Sequence, residues 1–307
     1  MKLLLQSAET AGGAWRDALT AALPEAEIAL WPQRCPDADY LLVWQPPPEV
    51  LGHVRCVRAI FNIGAGVEAL LAAPLLPDDV PVVRLEDAGM AEQMAEYVTL
   101  AVLRAWRESD AYAAQQREGR WQKRPRMSKQ AFGVGLLGLG VLGSKVAVAL
   151  APFGFPLAGH SRERKSIPGV ESFAGDAELP AFLARSRVLV CMLPSTPATR
   201  NLLDRTRLAA LPQGAHLVNV ARGDIVVDAD LLALLDEGHL ESATLDVFRS
   251  EPLPQGHPFW HHPRIVVTPH VSALTLLPET VAQIVAKIRR LERGEPVSGV
   301  VDRARGY

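Results

Sequence analysis

Short apolar runs alternate with segments of helical periodicity along most of the chain. In the first third, the strand-like runs and intervening helical patterns lie at 2–6, 15–23, 40–44, 57–63, 67–73 and 80–85. From residue 131 to about 270, the strand-like runs lie at 132–137, 155–159, 187–193, 215–220, 242–247 and 264–269, and the helical patterns at 141–151, 178–185, 204–210 and 228–236. Near-continuous apolar strands with helical crossovers predict parallel sheets covered by helices on both faces.

Two longer segments have helical periodicity, from 90 to about 116 and from 278 to 294. After the first of them, residues 117–130 are basic, polar and interrupted by Pro125. Because Trp121 lies among positive charges there, the run fits either a nucleic-acid patch or a solvated connector. No neighbouring segment extends the basic run, which favours the connector.

Composition describes a folded globular protein. The chain has 307 residues, which suggests about two domains. Hydrophobic residues make up 49% and charged residues 21%, and the formal net charge is −2. Such a balance gives no general attraction to nucleic acid or to an anionic membrane, so neither is expected as a partner.

The three cysteines, Cys35, Cys56 and Cys191, form no CxxC motif and no Cys/His cluster. We therefore expect no disulfide framework, no metal site and a reducing, cytoplasmic compartment. The beginning, MKLLLQSAET, has only three consecutive leucines, whereas a secretory signal needs an apolar run of ~7–15 residues. No such signal is expected.

The most apolar segment, 131–159, carries a single charge at Lys145 and resembles a membrane span in hydropathy. Its glycines, together with Pro152 and Pro156, favour a different interpretation. We predict a strand, a tight glycine turn and a buried helix.

That glycine turn has the sequence Gly-Leu-Gly-Val-Leu-Gly, with Gly138, Gly140 and Gly143 separated by Leu139 and by Val141 and Leu142. GxGxxG alone is a weak signal, but here a predicted strand precedes it and a predicted helix follows it. In that context the backbone of the turn approaches a pyrophosphate, which lies at the helix N-terminus. The alternative is a glycine turn that binds nothing.

The end of the second strand of this unit decides between NAD and NADP. An NAD site has Asp or Glu there, whereas this chain has His160 or Ser161, followed by cations at Arg162, Arg164 and Lys165. Arginines bind a 2′-phosphate through charge-assisted hydrogen bonds, so NADP(H) is preferred over NAD(H). A register error of two would place Glu163 at the acidic position, and a solvated loop is the other alternative.

Three charged residues follow strand ends in the second half of this sheet: Arg222, Glu251 and His270. Because ligands bind at the carboxyl ends of parallel strands, the three are expected to converge. They suit the reduction of a 2-oxo acid: Arg binds the carboxylate and polarises the carbonyl, His donates a proton, and the carboxylate orients His. Each alone also fits a surface or packing role.

Five strings place these residues in a known pattern: LLGLGVLGSKVA (136–147), LPSTPATRNLL (193–203), LVNVARGDIVVDADLLALLDEGHL (217–240), LDVFRSEPLP (245–254) and TPHVSA (268–273). As an ordered set, they resemble the D-isomer-specific 2-hydroxyacid dehydrogenases. The segment FNIGAGVE (61–68) also fits that family, with Glu68 where many members carry Asp.

The resemblance implies a Rossmann-type doubly wound parallel sheet and a second, discontinuous flavodoxin-like α/β substrate domain. The NADP-binding domain is expected at 97–273, and the substrate domain at 1–96 and 274–307. Family members usually form homodimers through the nucleotide domain, so a homodimer is expected here.

The resemblance to this family further implies an Arg–Glu–His catalytic set, carried by Arg222, Glu251 and His270. The expected substrate-binding residues are Trp44, Ile63, Gly64, Ala65, Gly66, Arg222 and His270, with the Gly64–Gly66 backbone binding the substrate carboxylate across a cleft. The expected cofactor-binding residues beyond the glycine turn and its cations are Ser161, Pro194, Thr199, Ala221, Arg222 and Asp246, the last of which holds the nicotinamide carboxamide.

Narrower similarity, in VWQPP (43–47), RLEDAGMAEQMAEY (84–97), SRERKSIPGVESFAG (161–175) and the final VDRARGY, is to members that reduce small 2-oxo acids. The expected activity is NADPH-dependent reduction of glyoxylate to glycolate and of hydroxypyruvate to D-glycerate. One alternative is a reductase of larger 2-oxo acids, and another is a cofactor-sensing interaction protein. Met90 and Met94 fit either the substrate pocket or the core.

Overall fold

A computed structural model describes residues 1–7, 12–54, 56–64 and 66–307. It divides into two compact units, one formed by Met1–Met90 with Leu274–Tyr307 and the other by Ala91–Ala273. The first boundary lies six residues before the one expected from the sequence, near the start of a long helix. The assignment of the units as substrate and cofactor domains stays a prediction.

The strands of the described residues are β1 (Lys2–Gln6), β2 (Glu27–Leu30), β3 (Tyr40–Val43), β4 (Ala59–Asn62), β5 (Val82–Arg84), β6 (Val134–Leu137), β7 (Leu157–Ser161), β8 (Val170–Ala174), β9 (Val188–Cys191), β10 (Ala215–Asn219), β11 (Leu240–Leu245) and β12 (Ile265–Val267). The helices are α1 (Gly12–Ala22), α2 (Pro48–His53), α3 (Glu68–Leu71), α4 (Met90–Trp106), α5 (Ser109–Arg117), α6 (Val141–Leu150), α7 (Gly175–Leu183), α8 (Arg205–Ala209), α9 (Asp228–Asp236) and α10 (Leu277–Glu292).

The first unit is built on a five-stranded parallel sheet with the order β2-β1-β3-β4-β5. This is the flavodoxin-like order. Helix α10 returns from the far end of the chain and packs its buried face, including Ile284 and Ile288, against Leu3, Leu5 and Phe61. The expected discontinuous α/β unit is confirmed.

The second unit contains a seven-stranded parallel sheet with the order β12-β11-β10-β9-β6-β7-β8. Successive side chains alternate between two cores, so that Val188 and Val190 of β9 face one and Leu189 and Cys191 the other. Burial on both faces explains why these strands are almost continuously apolar. The doubly wound Rossmann-type sheet is confirmed.

The sequence missed three elements, β2, β8 and α2, and took α4 and α5 for one helix. Both missed strands lie at sheet edges and bury one residue each, so they lack a long apolar run. The break after α4 occurs at Glu108, whose φ of 52° is left-handed and interrupts the helix. No glycine or proline marks it in the sequence.

The apolar segment 131–159 divides into a short 3₁₀ turn, β6, α6 and the first part of β7. Among the described residues, no helix has the length and apolar character needed to cross a bilayer. The connector 117–130 is exposed at every residue and contains little regular structure. In the same described ranges, no group of His, Cys, Asp and Glu is arranged to hold a metal ion.

The turn between β6 and α6 is shaped by two glycines. Gly138 has a φ of 116°, and a Cβ built on it would lie 2.8 Å from the carbonyl oxygen of Met192. A Cβ on Gly143 would overlap the carbonyl oxygen of Gly138. By contrast, Gly140, the residue that precedes α6, has a φ of −75° and no atom within 4 Å of the position of a Cβ. The turn is therefore closely packed at Gly138 and Gly143 and open to solvent space at Gly140.

This difference predicts that the same substitution has a larger effect at Gly143 than at Gly140. Gly143→Ala is expected to lower the free energy of unfolding by about 1–3 kcal/mol, because a backbone carbonyl must move to admit the methyl group. Gly140→Ala is expected to change it by less than about 1 kcal/mol, because that φ is ordinary and the space is open. Urea unfolding of both variants measures the difference, and equal destabilisation would contradict the packing described.

Candidate active site

The predicted site residues of the second unit gather at one edge of the seven-stranded sheet. Gly138 follows β6, Ser161 ends β7, Pro194 follows β9, Arg222 follows β10, and His270 follows β12. Because all these strands are parallel, their carboxyl ends share an edge. Strand β6 lies between β7 and β9, where the strand order reverses, and this is where doubly wound sheets bind ligands.

The glycine turn at this edge fits a dinucleotide pyrophosphate. The space above Gly140 is open, and the first turn of α6 begins directly after it at Val141 and Leu142. The N–H groups of a first helical turn have no intrahelical partner and attract anions. The turn thus offers what a pyrophosphate requires: closely packed glycines at 138 and 143, and open space at Gly140 beside the first N–H groups of α6.

The second strand of the unit extends to Ser161, two residues beyond the predicted end. His160 is buried, packs on Phe182, and its Nε2 lies 3.0 Å from the Gly175 carbonyl oxygen. His160 is therefore a structural residue. Ser161 donates its hydroxyl to the carbonyl of Glu163 at 2.6 Å, which tightens the turn that follows the strand.

Beyond that turn, the predicted phosphate-binding cations are exposed but differ in their contacts. Arg164 donates to the Ser172 carbonyl and, at 2.5 Å, to Glu178 Oε1. The Ala174 N–H and then the charge of Arg164 lower the pKa of Glu178 below its ordinary value. Arg164 is thus held against β8 and α7, while Arg162 and Lys165 lie on the exposed rim.

The loop after β9 is closed by one of its own side chains. Thr199 Oγ1 donates to the Pro194 carbonyl at 2.6 Å and accepts the Thr196 N–H at 2.8 Å. Ser195 Oγ, in turn, donates to Asp224 Oδ2 in the loop after β10, at 2.6 Å. Two predicted cofactor residues, Pro194 and Thr199, therefore belong to a loop that is held by internal hydrogen bonds and is hydrogen-bonded to the loop after β10.

Arg222 stands on a turn that is fixed by Asn219, the last residue of β10. Asn219 accepts the Ala221 N–H at 3.2 Å and donates to the Arg222 carbonyl at 3.1 Å. The half-buried Arg222 donates Nη1 to the Ala221 carbonyl at 2.6 Å. The backbone on both sides of this guanidinium is thus held by one buried amide.

Glu251 and His270 form a hydrogen-bonded pair, with Glu251 Oε2 and His270 Nδ1 2.7 Å apart. The other carboxylate oxygen accepts the Phe248 N–H at 2.8 Å. A carboxylate only accepts, so the proton lies on Nδ1, and no hydrogen bond from the described residues reaches Nε2. With 42% of its side chain exposed, His270 is accessible for proton transfer at Nε2.

His270 itself has a φ of 54°, an uncommon conformation for a residue other than glycine. The fully buried Asp246 holds that turn: its carboxylate accepts from Thr268 Oγ1 at 2.6 Å, from the Val271 N–H at 2.9 Å and from the Ser272 N–H at 2.8 Å. The sequence did not indicate this internal role for Asp246. Its role toward a nicotinamide carboxamide stays a prediction.

The predicted substrate residues of the first unit lie on two loops that contact each other. Asn62 donates to the carbonyls of Gly64 and Gly66 at 2.7 and 2.8 Å, and a Cβ on Gly64 would overlap the Trp44 ring. Ile63 is buried in the core of this unit. The predicted residue Ala65 lies outside the described residues. Sequence analysis did not single out Asn62, although it stands within the FNIGAGVE string.

The sequence allowed Met90 and Met94 to lie either in the substrate pocket or in the core. Their side chains are 3% and 5% exposed. Met94 packs in the core formed by α4, α6 and β6. Burial of this degree favours the core for both.

The second-unit site has the parts required for carbonyl reduction: an open glycine turn, a half-buried guanidinium and an imidazole oriented by a carboxylate. Residues 99–272 match the model of the D-isomer specific 2-hydroxyacid dehydrogenase NAD-binding domain. A glyoxylate/hydroxypyruvate reductase A from Escherichia fergusonii is 50% identical over 301 residues, which cover 95% of this chain and 96% of that protein.

Solved structures of similar proteins indicate the same family. A D-isomer specific 2-hydroxyacid dehydrogenase from Xanthobacter autotrophicus Py2, in complex with NADPH and MES, is 43% identical with a TM-score of 0.95 and covers 100% of this chain and 99% of its own. An NADPH-dependent glyoxylate/hydroxypyruvate reductase from Sinorhizobium meliloti, in complex with NADP and sulfate, is 34% identical with a TM-score of 0.93 and covers 100% of both chains. The family expected from the sequence motifs is confirmed: the chain belongs to the D-isomer specific 2-hydroxyacid dehydrogenases.

Proposed function

We propose that this protein is an NADPH-dependent reductase of small 2-oxo acids that converts glyoxylate to glycolate and hydroxypyruvate to D-glycerate. The observation that carries the proposal is the Glu251–His270 pair at 2.7 Å, on the sheet edge that also bears Arg222. The similarity to a reductase A that is 50% identical supports the choice of small acids.

NADP is the proposed cofactor, and two relatives are solved with NADPH or NADP. The Gly138–Gly143 turn would hold its pyrophosphate, and the cations Arg162, Arg164 and Lys165 its 2′-phosphate. Asp246, Ala221 and the loop 194–199 are proposed to lie along the remainder of the cofactor. When bound, NADPH supplies the hydride that is delivered to C2 of the oxo acid.

Three residues of the protein stabilise the charge that develops on the substrate oxygen and supply its proton. Arg222 binds the carboxylate of the acid and polarises its carbonyl, which stabilises the negative charge that develops on oxygen. His270 Nε2 donates the proton that this oxygen needs to become a hydroxyl. Glu251 accepts from Nδ1, which fixes the ring orientation and stabilises the imidazolium form before the transfer.

His270→Gln is expected to lower kcat by about 10²–10⁴-fold, because it removes the general acid. Cofactor binding, measured by NADPH fluorescence titration, should stay within about twofold of wild type, since the glycine turn is unchanged. Glu251→Gln keeps an acceptor for Nδ1 but removes the charge, so a smaller loss of about tenfold is expected.

His262→Gln is the matched control for these variants. His262 also pairs with a carboxylate, Asp236 Oδ1 at 3.3 Å, but it precedes β12 and therefore lies at the opposite edge of the sheet. Its kcat is expected to match wild type. Near-full activity of His270→Gln would show that another group donates the proton.

Arg162→Ala is expected to raise the KM for NADPH about tenfold or more and leave the KM for NADH unchanged, because a charge-assisted hydrogen bond to the 2′-phosphate is lost. Arg185→Ala, which removes an exposed partner of Glu171 in β8, serves as the control and should change neither KM. Equal effects on NADPH and NADH would mean that Arg162 does not distinguish the two cofactors.

We also propose a homodimer formed through the second unit, in a cytoplasmic setting compatible with three unpaired cysteines. Trp121 is fully exposed on the connector, and Leu100 of α4 and Val148 of α6 are 67% and 61% exposed. A groove of about 900 Å³ borders the connector and the ends of α4 and α5. Large exposed apolar side chains on one unit fit a protein interface, and these three support the proposal.

Sedimentation velocity is expected to give a mass near twice 33.3 kDa for the wild type. Leu100→Asp should shift the protein toward monomer, because a buried carboxylate is costly at an interface. Leu75→Asp, at an exposed leucine of the first unit, is the control and should stay dimeric. A monomeric wild type would refute the proposed assembly.

A further inference from the structure

The loops that carry Arg222 and Glu251 touch backbone to backbone. Gly223 follows Arg222 directly, and a Cβ built on it would overlap the backbone of Phe248 and Arg249. This contact sets how closely the two loops approach. By itself, however, it does not stop them from sliding past each other.

The Arg249 side chain crosses this junction and holds the neighbouring loops. Its Nη2 donates to Asn201 Oδ1 at 2.5 Å, to the Val226 carbonyl, and to the Asp224 carbonyl at 3.4 Å. Those acceptors belong to the segment after β9 and to the 3₁₀ turn after Arg222. One guanidinium thus connects the loops that follow β9, β10 and β11.

Its acceptors are themselves fixed. Asn201 adopts a left-handed φ of 56°, and its N–H donates to the Asp224 carbonyl at 2.8 Å. Asp224 Oδ2 accepts from Ser195 at 2.6 Å and from Arg200 Nε at 3.3 Å. Arg249 is therefore tied to a rigid group of loops rather than to flexible surface side chains.

A carboxylate at the start of α9 completes the arrangement. Asp228 Oδ1 lies 3.5 Å from Arg249 Nε, and its Oδ2 lies 3.6 Å from His257 Nε2. Burial raises the pKa of Asp228, while Arg249 and His257 oppose that rise. An ordinary surface ion pair contributes little, but here the same guanidinium also binds backbone carbonyls on a second loop.

Along the chain, Arg249 precedes Glu251 by two residues. The Phe248 N–H donates to Glu251 Oε1, and Glu251 Oε2 holds His270 Nδ1. A displacement of residues 248–250 would therefore move the carboxylate that orients His270. Arg222, one residue before Gly223, stands on the opposite side of the same junction.

We propose that Arg249 is a positioning residue: it keeps the Arg222 turn and the Glu251–His270 pair in register without touching the substrate. The inference rests on the proposed function, in which the guanidinium and the imidazole act on one carbonyl. Because small displacements of catalytic groups strongly reduce rate, loss of this register should act on kcat.

The test compares Arg249→Met, which keeps an unbranched apolar stem but removes the guanidinium, with Arg249→Lys. For Arg249→Met, kcat with glyoxylate is expected to fall about tenfold, while the KM for NADPH changes less than about twofold. Lysine still carries the charge that faces Asp228 and reaches one carbonyl, so Arg249→Lys should keep kcat within about threefold of wild type. Arg205→Met is the control. Among the described residues, the Arg205 side chain binds Glu237 and its backbone N–H binds Asp230, so kcat should be unchanged.

Hydrogen–deuterium exchange of the cofactor-free proteins supplies a readout that does not depend on activity. In Arg249→Met, peptides that cover 246–253 and 199–204 should exchange at least about threefold faster, with the strands of the sheet unchanged. A lower melting temperature with wild-type kcat and wild-type exchange in these peptides would overturn the proposal. If the wild type reduces no 2-oxo acid, the proposed function fails, and the exchange experiment alone then decides whether Arg249 holds the loops.

Discussion

The site depends on one buried carboxylate. Asp246 has no exposed surface, and its oxygens accept three hydrogen bonds from the 268–272 turn. A charged group in this position requires those donors, because an unpaired buried carboxylate is strongly unfavourable. Satisfying Asp246 draws the turn tightly over the ends of β11 and β12, and His270 takes up its left-handed conformation there. That conformation brings Nδ1 to Glu251, so the Glu251–His270 hydrogen bond is a consequence of how one buried charge is satisfied.

Most of the fold was predictable because both sheets are parallel and buried on two faces. Strands such as β9 and β10 bury every residue, and the resulting apolar runs stand out from the helical segments around them. The exceptions follow from the same physics. Strands β2 and β8 lie at edges and bury a single residue each, so their sequences carry little periodicity. The end of α4 depends on the backbone conformation of Glu108, which no glycine or proline announces.

The positions of the candidate site residues were predictable in part for an analogous reason. Arg222, Glu251 and His270 were found because each follows a strand end, and parallel topology brings such positions to one edge. The contacts that orient them could not be found this way. Arg249 acts through backbone carbonyls, and a carbonyl has no sequence signature; likewise, the partner of Arg164 is a helix-terminal Glu178 that is 14 positions away. Motifs indicate the candidate reacting residues, whereas the contacts that hold those residues become visible only in three dimensions.

The most direct measurement is the initial rate of absorbance loss at 340 nm with the purified protein. NADPH and NADH are each combined with glyoxylate, hydroxypyruvate, pyruvate and phenylpyruvate, and kcat/KM is determined for every pair. Fast turnover with NADPH and the two small acids glyoxylate and hydroxypyruvate, falling steeply toward phenylpyruvate, is the predicted result. A preference for NADH would contradict the role of the arginines after β7, and a preference for phenylpyruvate would contradict the small-acid assignment. Binding of NADPH without turnover on any acid would contradict the reductase itself and favour a cofactor-sensing protein.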